Sequence, residues 1–552
     1  MRERPSVPKV GREEEERDTP LSFMAQVIQA AELEPRGPRR VAKKSLGRRR
    51  EQLPERAVEP APEPEERTQL HLLLARADDQ GAVFDRGPQL ESVLDAPRPS
   101  LGESQRFLFD AGGEPNDLPA QRWALVVPEG RRGERLLAVI QPLVRRRAEQ
   151  QGLAVSALKV FRVKPGMDEK AAAAWHTRVL QAMPLREQPR YLLLLGDADE
   201  ISFELQRHLA VDRFVGRLAF PEESGFEAYV EKVLRAELEP SKAEKARALF
   251  FTAHDGSSAT NVGYQCLVAP SLERCREATE VGDFPASEVV EVGSRTRWSG
   301  ELLLREAAHA SPGVLFTLSH GLGPSPAGWA SPEEQRQRQG TMSLGAGQEL
   351  PPEAVSKRAF LPGGIWFNFA CFSAGTPTGS AYSPWLKRLQ SDGQGSEGLD
   401  AVLASAPADR RPFVAALPQA ALANPEGPLA VIGHVDLAWT YAFQERTGQN
   451  HALRFVGVMQ ELLKHRRAGV ALGALTRFVS VVNADLTAGY QADAVKRAQR
   501  AGSPEAMALA HLWMTRHDLA GHVLLGDPAA RLALKTHEAS KPARRSDFGA
   551  LE

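Results

Sequence analysis

Continuous apolar runs that each stop at glycine or aspartate constrain the fold of this chain more than any other feature. They include RWALVVPEG (122–130), RYLLLLGDADE (190–200) and GVLFTLSHG (313–321). Runs of this kind are typical of strands in a parallel sheet, because helices cover both faces of such a sheet and bury both sides of each strand. Between the runs, apolar residues recur at helical spacing, as in residues 134–152 and 225–239. The pattern predicts an α/β fold with a mostly parallel sheet flanked by helices on both faces.

More strands of the same kind follow along the chain. The runs are ALFFTAHDG (248–256), SEVVEVG (287–293), GGIWFNFACF (363–372), GPLAVIGHVDLAW (427–439) and GHVLLGDPAARLAL (521–534). A length of 552 residues allows two or three domains. We expect a first α/β subdomain over residues 67–245 and a second α/β domain over 246–540.

The two ends of the chain have a different composition. Residues 1–66 are rich in charged residues, proline and alanine, which cannot bury enough apolar surface to offset the entropy of the chain. We therefore predict a disordered N-terminal segment, with one short apolar stretch at 21–31 that could form a helix. Residues 541–552 are interpreted as a C-terminal tail.

Charge and cysteine content exclude several classes of protein. Lys and Arg number 69 against 70 for Asp and Glu, so the net charge of −1 gives no electrostatic case for binding nucleic acid or a membrane surface. Three cysteines cannot form a disulfide framework, which favours a reducing compartment. The N-terminus lacks the apolar core of a signal peptide, and we expect no transmembrane helix. The predicted location is cytoplasmic.

Two predicted strands end in side chains that could do chemistry. His320 and Cys371 each lie at the carboxyl end of a strand, which is where parallel sheets bind their ligands. A thiol becomes a good nucleophile when a neighbouring imidazole favours its thiolate, and Gly321 could offer a backbone N–H to a developing oxyanion. Taken separately, a cysteine after an apolar run is more often a core residue than a nucleophile, and a His–Gly pair at a strand end is more often a turn than a catalyst.

The order of the motifs adds a resemblance. YLLLLGDADEI, GVLFTLSHG, IWFNFACFSAG, AVIGHVDLAW and LLGDPAARL occur in this order, and His320 precedes Cys371 by about 50 residues, as in caspases. From about residue 190 to 534 the chain resembles the gingipain-type cysteine peptidases. These enzymes share the caspase-like fold with caspases, legumains and separases. The resemblance implies that residues 246–540 form a caspase-like catalytic domain.

The resemblance assigns roles residue by residue. It makes Cys371 the nucleophile and His320 the general acid/base, with the backbone N–H groups of Gly321 and Cys371 holding the oxyanion. Trp439 would form a wall of the pocket for the side chain on the acyl side of the cleaved bond, although a core tryptophan after a strand is an alternative. The group that orients His320 would be His254 or Asp255. Asp255 is favoured because a carboxylate can hold an imidazolium, while a turn aspartate before Gly256 is the other interpretation.

The chain departs from the family at the base of the specificity pocket. Arginine-specific gingipains carry an acidic residue several positions after this strand, whereas SSATNVGYQ (257–265) has none. Asp436 is the remaining candidate for a charge there. Cys266 and Cys275 are expected on a core helix, and no cysteine or histidine pair has a spacing suited to a metal, so neither a metal nor a cofactor is predicted.

The functional prediction is an intracellular cysteine endopeptidase with a Cys–His dyad, regulatory or defence-related, that acts on a protein or peptide. Two long polar stretches, 323–354 and 388–412, are predicted to be lids beside the site, and the first is also a candidate for self-cleavage. An activating partner would act through residues 1–66 or these loops. The alternative is a catalytically silent caspase-like scaffold. A nucleotide-binding protein ranks last, because VVPEGRRGERLL (126–137) lacks the phosphate-loop pattern.

Overall fold

The computed structural model describes residues 113–535, apart from 326, 395–396, 446–447 and 499–505, together with Arg76, Gly81 and Gly87. The predicted disordered segment 1–66 and tail 541–552 lie outside the described residues.

The predicted strands are present, and short additional ones lie between them. The strands are β1 Trp123–Pro128, β2 Val160–Val163, β3 Tyr191–Leu195, β4 Phe214–Leu218, β5 Arg247–Thr252, β6 Val289–Glu291, β7 Gly313–Leu318, β8 His320–Gly321, β9 Met342–Gly345, β10 Gln348–Leu350, β11 Ile365–Phe369, β12 Gly375–Thr376, β13 Phe413–Val414, β14 Ala430–His434 and β15 His522–Gly526.

Ten of these strands form one sheet, in the order β2-β1-β3-β4-β15-β14-β11-β7-β5-β6. The pairings among β1 to β4 are parallel, and so are those among β5, β6, β7, β11 and β14. β15 runs antiparallel to β14 and pairs with β4 on its other side. The predicted mostly parallel sheet is confirmed. Strands from 67–245 and from 246–540 belong to the same continuous sheet, and β15 lies at the junction.

Helices connect the strands and cover both faces. They are α1 Leu118–Gln121, α2 Arg131–Val139, α3 Gln141–Gln150, α4 Glu169–Trp175, α5 Phe203–Leu209, α6 Glu223–Leu238, α7 Ser258–Gly263, α8 Ala269–Glu280, α9 Gly300–Ala307, α10 Pro332–Arg338, α11 Pro352–Ser356, α12 Ser383–Leu389, α13 Glu397–Leu403, α14 Ala416–Ala423, α15 Leu453–Leu463, α16 Ala468–Ala498 and α17 Ala506–Ala520.

Alternate strand residues enter different cores. In β7, Leu315 belongs to the apolar cluster on one face of the sheet and Phe316 to the cluster on the other. Leu193 and Leu192 of β3 divide in the same way. Because successive side chains of a strand point to opposite faces, a strand that is apolar at every position must be covered on both sides. The continuous runs in the sequence have this cause.

One predicted helix is two helices. The stretch 134–152 forms α2 and α3, which meet at Ile140. Pro142 lies in the first turn of α3, where the backbone N–H has no partner within the helix, so the N–H that proline lacks is not missed there. In the middle of a continuous helix, Pro142 could not donate the backbone hydrogen bond that the helix requires. The helical spacing predicted for this stretch is confirmed, and the proline divides it into two helices.

The stretch 323–354 is not a long loop, which corrects the prediction. It contains α10, the hairpin of β9 and β10, and α11. Met342 and Leu344 of β9 are buried, and β9 pairs with β8, the strand that carries His320. The polar residues of this stretch thus cover a small apolar core. In 388–412, the helix α13 likewise replaces part of the predicted loop.

One helix among the described residues is long and apolar enough to cross a membrane by length and composition. Its span Ala468–Ala494 in α16 has a mean hydropathy of 1.3, and 39 % of the window is buried. The sequence analysis did not single out this segment. In the structure α16 packs against α15 and α17, and a core helix of a soluble protein passes the same test.

Candidate active site

Three neighbouring strands bring the predicted site residues to one edge of the sheet. Thr252 of β5 is level with Leu318 of β7, and Leu318 is level with Phe369 of β11. Asp255, His320 and Cys371 follow these three residues by two or three positions. Because parallel strands end at the same edge, this register places the carboxylate, the imidazole and the thiol side by side.

The segments that carry the imidazole and the thiol are in direct backbone contact. A Cβ added at Gly321 would lie 1.7 Å from the carbonyl oxygen of Cys371. Only glycine allows so close an approach. The amide of Leu322 donates to the carbonyl of Thr341, and amides alternate in direction along a strand, so the N–H of Gly321 points away from β9.

A chain of hydroxyl groups joins His320 to a buried carboxylate. His320 Nε2 lies 2.7 Å from Ser257 Oγ and 3.6 Å from Asp255 Oδ2. Ser257 Oγ is 2.9 Å from Thr260 Oγ1, which donates to Asp255 Oδ1 at 2.6 Å. Asp255 also accepts the N–H of Ser257 at 3.0 Å. Both hydrogen bonds end on Oδ1, and Oδ2 is buried without a hydrogen-bond partner among the described residues.

The hydroxyl chain engages one nitrogen of the imidazole. Ser257 Oγ has both Thr260 Oγ1 and His320 Nε2 as neighbours, and its single proton can go to either. Because Ser257 engages Nε2, Nδ1 is the ring nitrogen left for proton exchange with a ligand. Burial lowers the pKa of His320, and the negative charge of Asp255 opposes that shift. The ring is therefore held as a neutral base.

Ser257 has a second role as the N-cap of α7, since its Oγ accepts the N–H of Thr260. The other candidate for orienting His320, His254, does not reach it: its ring packs against Tyr264 and Trp298. Of the two alternatives from the sequence, the structure brings Asp255 to the imidazole.

Cys371 is buried in a different environment. Its Sγ lies 3.3 Å from the amide nitrogen of Ala438 and 3.6 Å from the carbonyl oxygen of the same residue. Burial raises the pKa of the Cys371 thiol to about 12, and the carboxylates of Asp518 and Asp436 act in the same direction. No hydrogen bond joins this thiol to His320, so in this conformation the sulfur is a protonated thiol beside, and separate from, the base.

The residue after the cysteine makes a tight turn. Phe372 has a φ of 54°, and its amide donates to the carbonyl of Asp436 at 2.8 Å. The Asp436 carboxylate accepts the N–H groups of Leu437 and Ala381. Asp436 is buried and does not line the pocket beside Cys371. Its carboxylate therefore braces the backbone of this turn.

Trp439 is held by an aspartate that the sequence analysis did not single out. Its backbone N–H donates to Asp518 Oδ1, and the N–H of Ala442 donates to Asp518 Oδ2, both at 2.8 Å. Asp518 lies near the end of α17 and is fully buried. Burial raises its pKa to about 8, against the lowering effect of these two N–H groups. The same carboxylate thus fixes both ends of the short turn 439–442.

A pocket lies beside the thiol and the imidazole. Four pieces of backbone line it: α7 through Ala259, Thr260 and Gly263, the β7 end at 318–320, the β11 end at 369–371, and residues 438–440 with Phe443. Its cavity volume is about 40 Å³, and it opens to solvent. His320, Cys371 and Trp439 therefore face one shared space.

Cys266 and Cys275 lie elsewhere. Cys275 is fully buried in the core on α8, and Cys266 packs against the same cluster from the preceding helical turn, as predicted. All three cysteines are unpaired. Among the residues that the structure describes, no group of three or more His, Cys, Asp or Glu side chains could hold a metal ion.

Sequence reasoning missed Ser257, Thr260 and Asp518. A signal existed for Ser257, because a serine two positions after an aspartate and just before a helix is a common N-cap pattern. A weaker signal marked Asp518, a charged residue in the largely apolar helix AMALAHLWMTRHDLA. Neither signal indicated which site the residue serves.

Comparisons with known proteins give structural likeness only. No family model matches the chain, and no curated protein matches it. A solved structure described as a protease shares 12 % identity at a TM-score of 0.41, covering 74 % of this chain and 78 % of its own. The Arg-specific cysteine proteinase gingipain R gives 12 % and 0.40, covering 76 % and 79 %. The complex of the pro- and mature domains of RgpB from Porphyromonas gingivalis gives 12 % and 0.39, covering 74 % and 79 %. The chain is similar in structure to these proteins.

Proposed function

We propose that this protein is a cysteine peptidase in which Cys371 attacks the peptide carbonyl and His320 transfers the protons. The contact between Gly321 and the Cys371 backbone carries this proposal, because it locks the imidazole segment and the thiol segment together at one pocket. A core cysteine and an unrelated turn would not need a glycine at this point.

The chemistry would proceed in two stages. Nδ1 of His320 accepts the thiol proton, and the thiolate forms a bond to the carbonyl carbon. The imidazolium, stabilised by Asp255, then gives its proton to the leaving amine, which leaves an acyl-enzyme. Water attacks this thioester with His320 as the base, and Cys371 returns to its starting form.

The oxyanion of each stage would be held by backbone amides. The Gly321 N–H points away from β9, and the Cys371 N–H lies close enough to its own thiol to lower the pKa of that thiol. Donors that are already fixed before the reaction lose little freedom when charge develops, and one such donor is worth about 3 kcal/mol.

The environment of the thiol supports a latent enzyme. Burial raises the pKa of the Cys371 thiol to about 12 although the N–H of Ala438 lowers it, so activation would have to relieve this burial and bring the sulfur to Nδ1 of His320. Entry of a substrate, or binding of a partner beside residues 438–440, would supply this step. A regulatory or defence peptidase that acts on a protein would use such a latent state.

Substitution at the two side chains tests the proposal. Wild type, Cys371→Ala and His320→Ala are assayed with a library of fluorogenic peptides, with Cys266→Ala as the matched cysteine control outside the site. We expect turnover by wild type and Cys266→Ala, and a loss of about 10³-fold or more in the other two. Equal turnover by wild type and Cys371→Ala would remove Cys371 from the reaction.

A second candidate is a catalytically silent protein that binds a partner at the same pocket. It is favoured by the buried thiol and by the missing hydrogen bond between Cys371 and His320. Labelling with peptidyl chloromethyl ketones distinguishes the two. A peptidase is alkylated at Cys371 in wild type and not in His320→Ala, whereas a scaffold is labelled in neither.

We further propose that the protein works in a reducing compartment inside the cell. Support comes from Cys266, Cys275 and Cys371, which are all free thiols. Cell fractionation would assign the protein to the soluble or the membrane fraction. The apolar helix α16 is the segment that could place it in the membrane fraction.

A further inference from the structure

The pocket beside Cys371 has no charged wall. None of the described residues that line it is Asp, Glu, Lys or Arg, and His320 is the one titratable base among them. Leu318, Phe369 and Phe443 belong to the apolar cluster on that face of the sheet. Their side chains give this side of the pocket an apolar surface.

The acids nearest to the pocket do not line it. Asp255 accepts from Ser257 and Thr260 at Oδ1, and its Oδ2 is buried 3.6 Å from His320 Nε2 with no hydrogen-bond partner among the described residues. Asp436 accepts two backbone N–H groups, and so does Asp518. A cationic side chain in the pocket could pair with Asp436 or Asp518 only by breaking these N–H contacts, and His320 lies between the pocket and the free oxygen of Asp255.

Two unpartnered polar groups belong to residues that line the pocket. Ser319 Oγ and Trp439 Nε1 are buried and have no hydrogen-bond partner among the described residues. An uncharged ligand can use such groups, whereas neither can neutralise a charge. A charged ligand would therefore lose its water and gain no counter-ion, which is strongly unfavourable.

We propose that this pocket accepts an uncharged side chain on the acyl side of the cleaved bond and rejects Arg, Lys, Asp and Glu there. The inference rests on the proposed peptidase function and names the substrate class of that same site. Three elements set the specificity: the apolar surface, the uncharged stretch of α7, and the turn 438–440.

The wild-type protein tests this with peptides that differ only at that position. The series contains Ala, Leu, Asn, Arg, Lys, Asp and Glu. We expect kcat/KM for the four charged peptides to be lower by at least about 100-fold than for the best uncharged one. Preferred cleavage after Arg or Lys, abolished by Cys371→Ala, would overturn the pocket inference and leave the peptidase proposal standing. Absence of cleavage of every peptide, with no labelling of Cys371 by chloromethyl ketones, would overturn both.

An added carboxylate sharpens the test. Ala259→Asp places an acid in the wall that α7 contributes, and Ser258→Asp adds the same charge one residue away at an exposed position that does not line the pocket. We expect Ala259→Asp to raise kcat/KM for Arg relative to Leu by about 10-fold or more, and Ser258→Asp to leave this ratio unchanged. Equal ratios in both variants would contradict a specificity role for this wall. If Ala259→Asp does not fold, the wild-type series decides alone.

Discussion

The His320 side and the Cys371 side of the pocket differ in the groups that surround their polar side chains. On the His320 side, hydroxyl groups connect the imidazole to Asp255 in an unbroken chain. On the Cys371 side, the neighbours are aromatic, and Tyr382 Oη, Trp385 Nε1 and Trp439 Nε1 are buried without a hydrogen-bond partner among the described residues. Both sides leave buried polar atoms unpaired among the described residues, including Asp255 Oδ2 and Ser319 Oγ on the His320 side. The difference is that hydroxyl groups tie the imidazole to a carboxylate, whereas the thiol contacts the backbone of Ala438.

The difference shows where control of the site would act. Buried polar groups are rarely left unpaired, and a cluster of them marks a region whose arrangement changes or which binds something further. In the described conformation the imidazole is held by its hydroxyl and carboxylate neighbours, whereas burial raises the pKa of the thiol. We infer that an activating event would rearrange the Cys371 side and leave the His320 side as it is.

The contact between the two sides is the most sensitive point. Gly321→Ala would place a methyl group 1.7 Å from the Cys371 carbonyl oxygen, and the backbone cannot yield without separating β8 from the end of β11. We expect a loss of at least about 3 kcal/mol in the free energy of unfolding, measured with urea, together with loss of peptidase turnover.

Gly323→Ala is the matched control for this variant, since a Cβ at Gly323 meets nothing within 4 Å. It should lie within about 0.5 kcal/mol of wild type. If both alanines had the same small effect, the two sides would not be joined at Gly321.

The Cys371 side is supported from behind by Asp518. Asp518→Asn leaves one of the two N–H groups of the turn 439–442 without an acceptor, and we expect a loss of about 2 kcal/mol in the free energy of unfolding. Its folded-state pKa of about 8 lies above the usual aspartate value, so the wild-type carboxyl contributes its full stability below pH 4 and loses it as the pH rises towards 8. The variant does not titrate here. Urea titrations from pH 5 to pH 8 should therefore show the gap between the two proteins narrowing.

The His320 side depends on Ser257. Ser257→Ala removes the hydroxyl that holds Nε2 and breaks the chain to Asp255. We expect kcat to fall by about 10-fold with little change in KM, and the acidic limb of the pH–rate profile to move because Nε2 of His320 loses its hydrogen-bond partner.

Ser257 is also a helix cap, so its variant needs a cap control. Ser299→Ala removes the N-cap of α9, where Ser299 accepts the N–H of Leu302, and touches no residue of the site. Both variants should lose about 1 kcal/mol of stability, and only Ser257→Ala should alter the pH profile. A matching shift in Ser299→Ala would reduce the role of Ser257 to capping.

The smallest effect separates satisfied from unsatisfied hydroxyls. Tyr382→Phe removes a buried hydroxyl that has no hydrogen-bond partner in the part of the chain that the structure describes, and we expect it to be neutral or to stabilise by about 0.5 kcal/mol. Tyr229→Phe removes a hydroxyl that donates to Leu429 and accepts from Asp527, so this variant should be destabilised by about 1 kcal/mol. Equal losses measured by thermal unfolding would mean that the Tyr382 hydroxyl also has a partner.

The strands could be predicted from the sequence because a sheet covered on both faces needs apolar residues at every position of its strands. The same reading located His320 and Cys371, since each directly follows such a run. Placing Asp255 beside His320 needed the order of β5 next to β7, which no local pattern states and which the motif order only implied.

Other features depend on contacts far apart in the chain. Asp518 reaches Trp439 across 79 positions, and Gly321 meets Cys371 only after both strands have joined the sheet. The stretch 323–354 was misread because its apolar residues are few. These few residues are enough for the stretch to fold, because β9 pairs with β8 and its apolar side chains join a core that other segments already form. A short segment of sequence shows neither its distant contact partners nor the core that other segments supply.

The position of β15 has a consequence for the order in which the protein is made. A ribosome adds about 150 residues between Cys371 and β15, which takes on the order of 10 s. During that interval the nascent chain carries the thiol and the imidazole, but β14 lacks its neighbour and Trp439 lacks Asp518. The wall that encloses the sulfur would thus be the last part of the pocket to assemble. A newly synthesised chain would therefore expose the Cys371 thiol until the fold is complete. Oxidants could reach this thiol during synthesis, before any later activation.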